Sequence, residues 1–301
     1  MRRMRLVIFV IVTIAVLWLL RTATPPRPLY PIHESAPRAS DISSAFDPAR
    51  CGSVSGNVRW QGPIPVVEPI RLVQVLEPPP GITLVPNPNA PRVSKDNQLA
   101  DAVVFLANVD EKRSKPWEAP STMVEITRKA IVIRQGSASG QYGVVPRGAA
   151  VDFVSLDLIS RPEAQHSIRG RGAAFFTQML QVPNQAVRRE LRDAGIVELS
   201  SGSGYYWLRS YLVVSDHPYV VVTGADGSFR FDQVPDGEYE IHCWKANWHV
   251  ERTERDPEWL GPVRLYFRPA FETRKRLNVS AGRDSAVSMS LSAADFEPPR
   301  R

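Results

Sequence analysis

Cysteine is scarce, with only Cys51 and Cys243 among 301 residues. Two thiols exclude a framework of several disulfides and any C-x-x-C redox pair; one long-range disulfide or two independent thiols stay open. Histidine is sparse too, five in all, and neither H-E-x-x-H nor G-x-S-x-G occurs. The common signatures of zinc peptidases and serine hydrolases are therefore absent. Ser200-Ser-Gly-Ser-Gly204 lacks the Gly-Lys-Ser/Thr that would hold phosphate and metal, and it reads as a flexible loop. The net charge of +6 is modest, and Arg2, Arg3, Arg5, Arg300 and Arg301 supply five positive charges outside any core. No basic helix or aromatic-basic stripe remains, so nucleic acid is not an expected partner. Long helical patterns are missing as well. With 27 prolines and 18 glycines between short apolar runs, the chain reads all-β. One short helix is expected from Asn184 to Ala194, with Asn184 as N-cap, Val187 and Leu191 on one side, and Gly195 as the stop.

What is present is an ordinary globular composition, 43% hydrophobic and 23% charged, with room for two domains. The N-terminus sets itself apart: three arginines precede an uncharged run from Leu6 to Leu20, and Arg21 and a Pro-rich stretch follow. Basic residues ahead of the run favour insertion with the C-terminus outside. The sequence after Leu20 shows no A-x-A cleavage pattern, so residues 1–24 read as a signal-anchor, with a cleaved signal peptide as the rival. Residues 25–48 read as a Pro-rich linker. The expected location is the inner membrane, single-pass, with the C-terminal domains extracytoplasmic.

Toward the C-terminus, Phe229 and Phe231 alternate with Ser228, Arg230 and Asp232, while Tyr239, Ile241 and Cys243 alternate with Glu238, Glu240 and His242. Asp226-Gly227 and Pro235-Asp-Gly237 supply tight-turn chemistry at the ends of these segments, because Gly and Asp tolerate positive φ. The pattern predicts a β-meander. The string Thr223-Gly-Ala-Asp-Gly-Ser-Phe-Arg-Phe-Asp-Gln-Val-Pro-Asp-Gly-Glu-Tyr-Glu-Ile-His-Cys-Trp244 resembles the carboxypeptidase-regulatory-like (carbohydrate-binding-like) β-sandwich of bacterial envelope proteins. The opening strands of that family resemble Gly56-Asn-Val-Arg-Trp-Gln-Gly-Pro63 and Ala102-Val-Val-Phe-Leu106, far upstream. The resemblance implies a split sandwich, 49–118 and 216–293, with 119–215 inserted and 294–301 left as a tail.

The insert resembles a cupredoxin through the strand Ala149–Leu156, His166, and Trp207-Leu-Arg-Ser-Tyr-Leu-Val-Val-Ser-Asp-His-Pro-Tyr219. In that family an H-N-x-H and a C-x-x-H-x-W-M carry copper. Here His166-Ser-Ile-Arg169 keeps one imidazole, and Leu208 replaces the methionine. The Cys and His positions hold Gly202 and Tyr205 counting back from Trp207, or Ser201 and Gly204 counting forward from Val197. Blue copper needs two imidazoles and a thiolate, so a copperless cupredoxin-like module is expected, with no metal, no cofactor and no catalytic residue.

Tyr205 and Tyr206 fall in the loop where copper ligands would lie, and they are the candidate interaction surface. His166 reads as a surface or loop residue, His217 as an interdomain turn contact, and His242 and His249 as solvent-facing. Trp207 and Trp244 read as packing, the run Glu251–Leu260 as a salt-bridged surface loop, and 77–92 as an irregular loop. The expected function is a non-catalytic, membrane-anchored binding or scaffold protein for an envelope protein or surface polysaccharide. A cupredoxin-type electron-transfer protein and an accessory subunit of a periplasmic enzyme are the alternatives.

Overall fold

The computed structural model describes residues 45–74, 81–157, 165–258 and 260–297. The expected anchor and nearly all of the expected linker lie outside them. Among the described residues no helix is long and apolar enough to cross a membrane. Their regular structure is strand, apart from single-turn 3-10 segments at Pro48–Arg50, Glu111–Arg113 and Ala293–Phe296. The all-β expectation holds.

Two pairs of sheets carry the chain. In the first, the strand Cys51–Gln61 lies between Ser228–Pro235, antiparallel, and Asp284–Ser292, parallel. Its facing sheet runs Val220–Val222, Val103–Ala107, Gly237–Lys245, Phe271–Val279. Alternation puts Val54, Val58 and Trp60 inward, where they meet Val104, Leu106, Phe229, Phe231, Ile241 and Met289. Each such side chain contributes about 1.5–3 kcal/mol by leaving water. At Gly56 the strands approach too closely for a side chain, because a Cβ there would run into the Val287 carbonyl oxygen and the Phe229 ring.

The second pair spans Thr122–Ser215. One sheet runs Tyr142–Pro146, Arg209–Ser215, Gly195–Ser201, His166–Gly172, Phe176–Leu180. The other runs Val187–Glu190, Ala150–Ser155, Thr122–Ile126, Ile131–Gln135, Ala138–Gly140. Between them sit Val124, Ile133, Phe153, Ile168, Leu199, Leu212 and Val214. Tyr211 and Val213, alternating with Leu212 and Val214, face the other way and pack with Tyr142 against Val103, Val220 and Ala246 of the first pair. This seam joins the two sandwiches.

Several local expectations fail for physical reasons. Asp226-Gly227 does turn the chain, with Gly227 at φ +66°, yet the segments it joins belong to different sheets. Val220–Val222 pairs with Val103–Phe105, and Ser228–Pro235 pairs with Cys51–Asn57, so the turn crosses the sandwich and no meander forms. The expected helix at Asn184–Ala194 is a strand, Val187–Glu190, paired with Ala150–Phe153. Arg188 binds Asp152 bidentately at 2.8 and 2.9 Å across that ladder, and Asn184 sits at φ +61°, outside the conformation of an N-cap. Within 77–92, Gly81–Val85 and Arg92–Val93 are strands, and Asn87 and Asn89 are buried. The expected tail contains a core residue: Phe296 is 2% exposed and packs 4.5 Å from Trp248 and 6.2 Å from Trp60. Both cysteines are free and buried.

Phe296→Ala is expected to lower unfolding free energy by about 3–5 kcal/mol, the usual effect of removing a buried ring, as measured by urea denaturation. Burial pushes the Cys243 thiol up to about 12. Unreduced protein is therefore expected to take up two alkyl groups per chain in urea and none at Cys243 when folded, as read by intact mass.

Candidate functional site

The end of the second sandwich that holds His166 and residues 200–208 is the place where the cupredoxin resemblance puts a metal. Its described residues pack on one another. His166 is fully buried, with Nε2 2.7 Å from Asp157 Oδ2 and its ring 5.1 Å from that of Tyr205. Asp157 also accepts the Arg128 backbone N–H at 2.7 Å, and Trp207 Nε1 donates to the Arg128 carbonyl at 3.0 Å. Ser203 Oγ accepts the Ser167 N–H and donates to the Gln165 carbonyl, both at 2.8 Å. Ser200 and Ser201 are buried at the end of a strand, so the expected flexible loop is an ordered cap.

The candidate pair Tyr205 and Tyr206 divides. Tyr206 is 6% exposed, packs with Ile70, Leu72 and Leu265, and donates its hydroxyl to the Arg71 carbonyl at 2.6 Å. Tyr205 is half-buried against His166 and Trp207. The two rings therefore do not form a shared open surface; Tyr206 is an anchor for the strand Ile70–Gln74. Trp207 and Trp244 pack as expected, the latter edge-on to Tyr211 at 5.4 Å.

The residues at this end do not fit a blue-copper site. They offer one imidazole, already held by a carboxylate, where two imidazoles and a thiolate are needed. Cys243 lies in the core of the first sandwich, and the Cys51 thiol donates to the Asp47 carbonyl at 3.2 Å. Among the described residues no group of three or more His, Cys, Asp or Glu could hold a metal ion.

The other described histidines are also engaged. His242, expected to face solvent, is buried, stacks on Phe105 at 4.9 Å and meets Glu272 through Nδ1 at 2.6 Å. His249 is half-buried, with Nε2 3.4 Å from Glu297. His217 accepts the Tyr219 N–H at its Nδ1, and burial lowers its pKa.

A polar cluster that sequence reading missed lies at the seam. Lys245, 1% exposed, ends the strand Gly237–Lys245; its Nζ donates to the Asp101 carbonyl at 3.1 Å and sits 5.4 Å from the Tyr142 ring centroid. Burial brings its pKa down to about 8, against the raising pull of Asp101. Beside it Tyr211 donates to Asn89 Oδ1 at 2.9 Å, and Asn89 donates to the Asn247 carbonyl at 2.9 Å. Asn87 repeats the pattern on the Trp248 carbonyl at 2.9 Å. Buried amides thus tie residues 87–89 to 247–248 and to the second sandwich. The one sequence signal is a lysine between Cys243-Trp244 and Ala246, in a mostly apolar stretch.

No family model matches the sequence. No curated relative matches it either. Among solved structures, the copper-containing nitrite reductase NirK from Thermus scotoductus SA-01 is similar at 15% identity and TM-score 0.26, over 34% of this chain and 24% of that chain. A reduced amicyanin mutant is similar at 13% identity and TM-score 0.25, over 37% of this chain and 98% of that chain. The reduced Cu(I) form of another amicyanin mutant at pH 4 is similar at 15% identity and TM-score 0.25, with the same coverage. This chain spans less than two thirds of the nitrite reductase. At such scores these likenesses carry no argument.

The Lys245 cluster makes stability depend on pH. Below pH 8 the ammonium is charged in both states, and the folded chain bears the full cost of burying it. As pH rises from about 8 toward 10.5, the folded chain releases the proton first and stability increases, by an amount on the order of 3 kcal/mol at the limit. Burial raises the Tyr142 and Tyr211 pKa values above 10.0, which opposes the increase beyond that pH. Urea denaturation of wild-type protein is expected to show a rising limb between pH 8 and 10, and Lys245→Met is expected to flatten it.

Proposed function

We propose that this chain is a non-catalytic binding module, held outside the cytoplasmic membrane by its Leu6–Leu20 segment. Its two sandwiches are a carboxypeptidase-regulatory-like domain and an inserted, copperless cupredoxin-like domain. The observation that carries the non-catalytic reading is the engagement of each described histidine and cysteine in packing or in a local polar contact. His166, His242 and His249 face carboxylates, His217 receives a backbone N–H, and both thiols are buried. A general base or nucleophile must reach substrate, and none of these side chains lines the concave surfaces around Arg189 or around Arg59. Two concave surfaces offer other chemistry, one lined by Phe175, Gln178, Arg188 and Arg189, the other by Arg59, Trp60, Asn97 and Lys275. Arginine and amide groups of this kind suit recognition. The partner classes are an envelope protein or a surface polysaccharide.

Purification of the full chain from detergent-solubilised membranes, with metal analysis on the same sample, tests the reading. A colourless protein with copper well below one per chain is expected. Stoichiometric copper with an intense visible band would overturn it in favour of electron transfer.

A further inference from the structure

The run Glu251–Leu260, expected to be a salt-bridged surface loop, instead contributes the strand Val250–Arg255, which pairs with Pro262–Phe267. Its arginines do not find the carboxylates that an alternating sequence suggests. Arg252 stands opposite Tyr266 in the ladder, and its guanidinium lies 3.8 Å from the ring centroid. Arg264, two residues before Tyr266 and on the same face of its strand, lies 4.8 Å from that centroid. A third guanidinium, Arg171, reaches the same ring at 5.6 Å from the strand His166–Gly172 of the second sandwich. Three cations thus share one tyrosine, two from the hairpin and one from the neighbouring sheet.

Two carboxylates stand close, Glu254 opposite Arg264 and Glu198 opposite Arg171 in the ladders, and each is engaged by another group. Tyr266 donates its hydroxyl to Glu254 at 2.6 Å. Glu198, paired in register with Arg171, faces the buried Arg209 at 3.3 Å, and Arg209 also donates to the Leu208 carbonyl at 2.9 Å and to the Leu265 carbonyl. Among the described residues Arg171, Arg252 and Arg264 make no ion pair, while Arg209 does. Arg264 Nε is buried with no hydrogen-bond partner there. An aromatic face returns about 0.5–1 kcal/mol per cation at an exposed site, and each added guanidinium repels the others. An anion seated among them would offset that repulsion and satisfy the buried N–H.

We propose that Arg171, Arg252 and Arg264 form a binding site for a tetrahedral oxyanion, a phosphate or sulfate group. The proposal rests on the binding-module reading and names the chemistry its ligand presents. A planar carboxylate is satisfied by one guanidinium fork, whereas three forks arriving from two strands of the hairpin and from a separate sheet match an anion with acceptors in several directions. The hairpin is held in place independently: Leu265 packs with Tyr206, Ile70 and Leu72, and its carbonyl is fastened by Arg209. The hairpin backbone that carries Arg252 and Arg264 is therefore anchored before ligand arrives.

Isothermal titration of the full chain in detergent with inorganic phosphate and with inorganic sulfate, at constant ionic strength set by chloride, tests it. Saturable binding at one site per chain is expected, weakened at least tenfold in Arg252→Gln and in Arg264→Gln, with thermal midpoints of both variants close to wild type. Dextran sulfate oligomers are the second probe. Tighter binding than inorganic sulfate, with the same arginine dependence, points to a group carried on a polysaccharide; equal binding points to the free ion. Failure of both ions and the oligomers to bind, or binding unchanged in Arg252→Gln and Arg264→Gln, would overturn the site. Stoichiometric copper in a protein that still binds phosphate would overturn the binding-module reading and leave this site standing.

Discussion

The fold depends on the pairing of one strand, Cys51–Gln61, with partners from the far end of the chain on both of its edges. Ser228–Pro235 lies antiparallel on one side and Asp284–Ser292 parallel on the other. Until those segments arrive, the first sandwich has no complete sheet, and the residues that would be its core stay in water. The second sandwich must be made within the closed loop, between Ala107 and Val220. Non-local pairing of this kind is slow to nucleate, since loop closure costs entropy before any contact offsets it. It also brings the beginning and end of the described chain together, where Trp60, Trp248 and Phe296 pack on one another.

Insertion creates the seam, and the seam explains where the buried polar groups go. The outward face of Arg209–Ser215 is covered by the first sandwich, so Tyr211 and Arg209 must find partners without water. Asn89 serves the first; Glu198 and the Leu265 carbonyl serve the second. Lys245 is accommodated in the same way, by one carbonyl and an aromatic ring, at the cost of a lowered pKa. At the far end of the second sandwich His166 is taken up by Asp157, and Ser203 ties Ser167 to Gln165. Chemistry-bearing residues are drawn into architecture, while Arg171, Arg252 and Arg264 gather on the Tyr266 ring with no ion pair among the described residues.

Sequence reading recovers what is set by local pattern. Alternation around Phe229–Phe231 and Tyr239–Cys243 gave strands with the correct buried face, because one face of each strand meets a core. Turn chemistry at Asp226-Gly227 marked a reversal, but it carries no information about which sheet the next strand joins. Val187 and Leu191 fit a helical period; the ladder to Ala150–Phe153 and the Arg188–Asp152 pair override so weak a preference. His166 read as exposed since its carboxylate partner lies nine residues away, across a segment whose path sequence does not fix. The same holds for Lys245, whose type suggests solvent, and for Arg171, Arg252 and Arg264, which meet only through a bulged hairpin register and a separate sheet.

Two sandwiches sharing buried hydrogen bonds and aromatic contacts should unfold as one cooperative unit rather than as two domains on a linker. Native-state hydrogen exchange of the full chain across a urea series, read by mass spectrometry, measures this directly. Protection of Gly237–Lys245 in the first sandwich and of Arg209–Ser215 in the second is predicted to be lost at the same urea concentration. Loss of protection in one of these strands at a concentration where the other remains fully protected would contradict a shared seam.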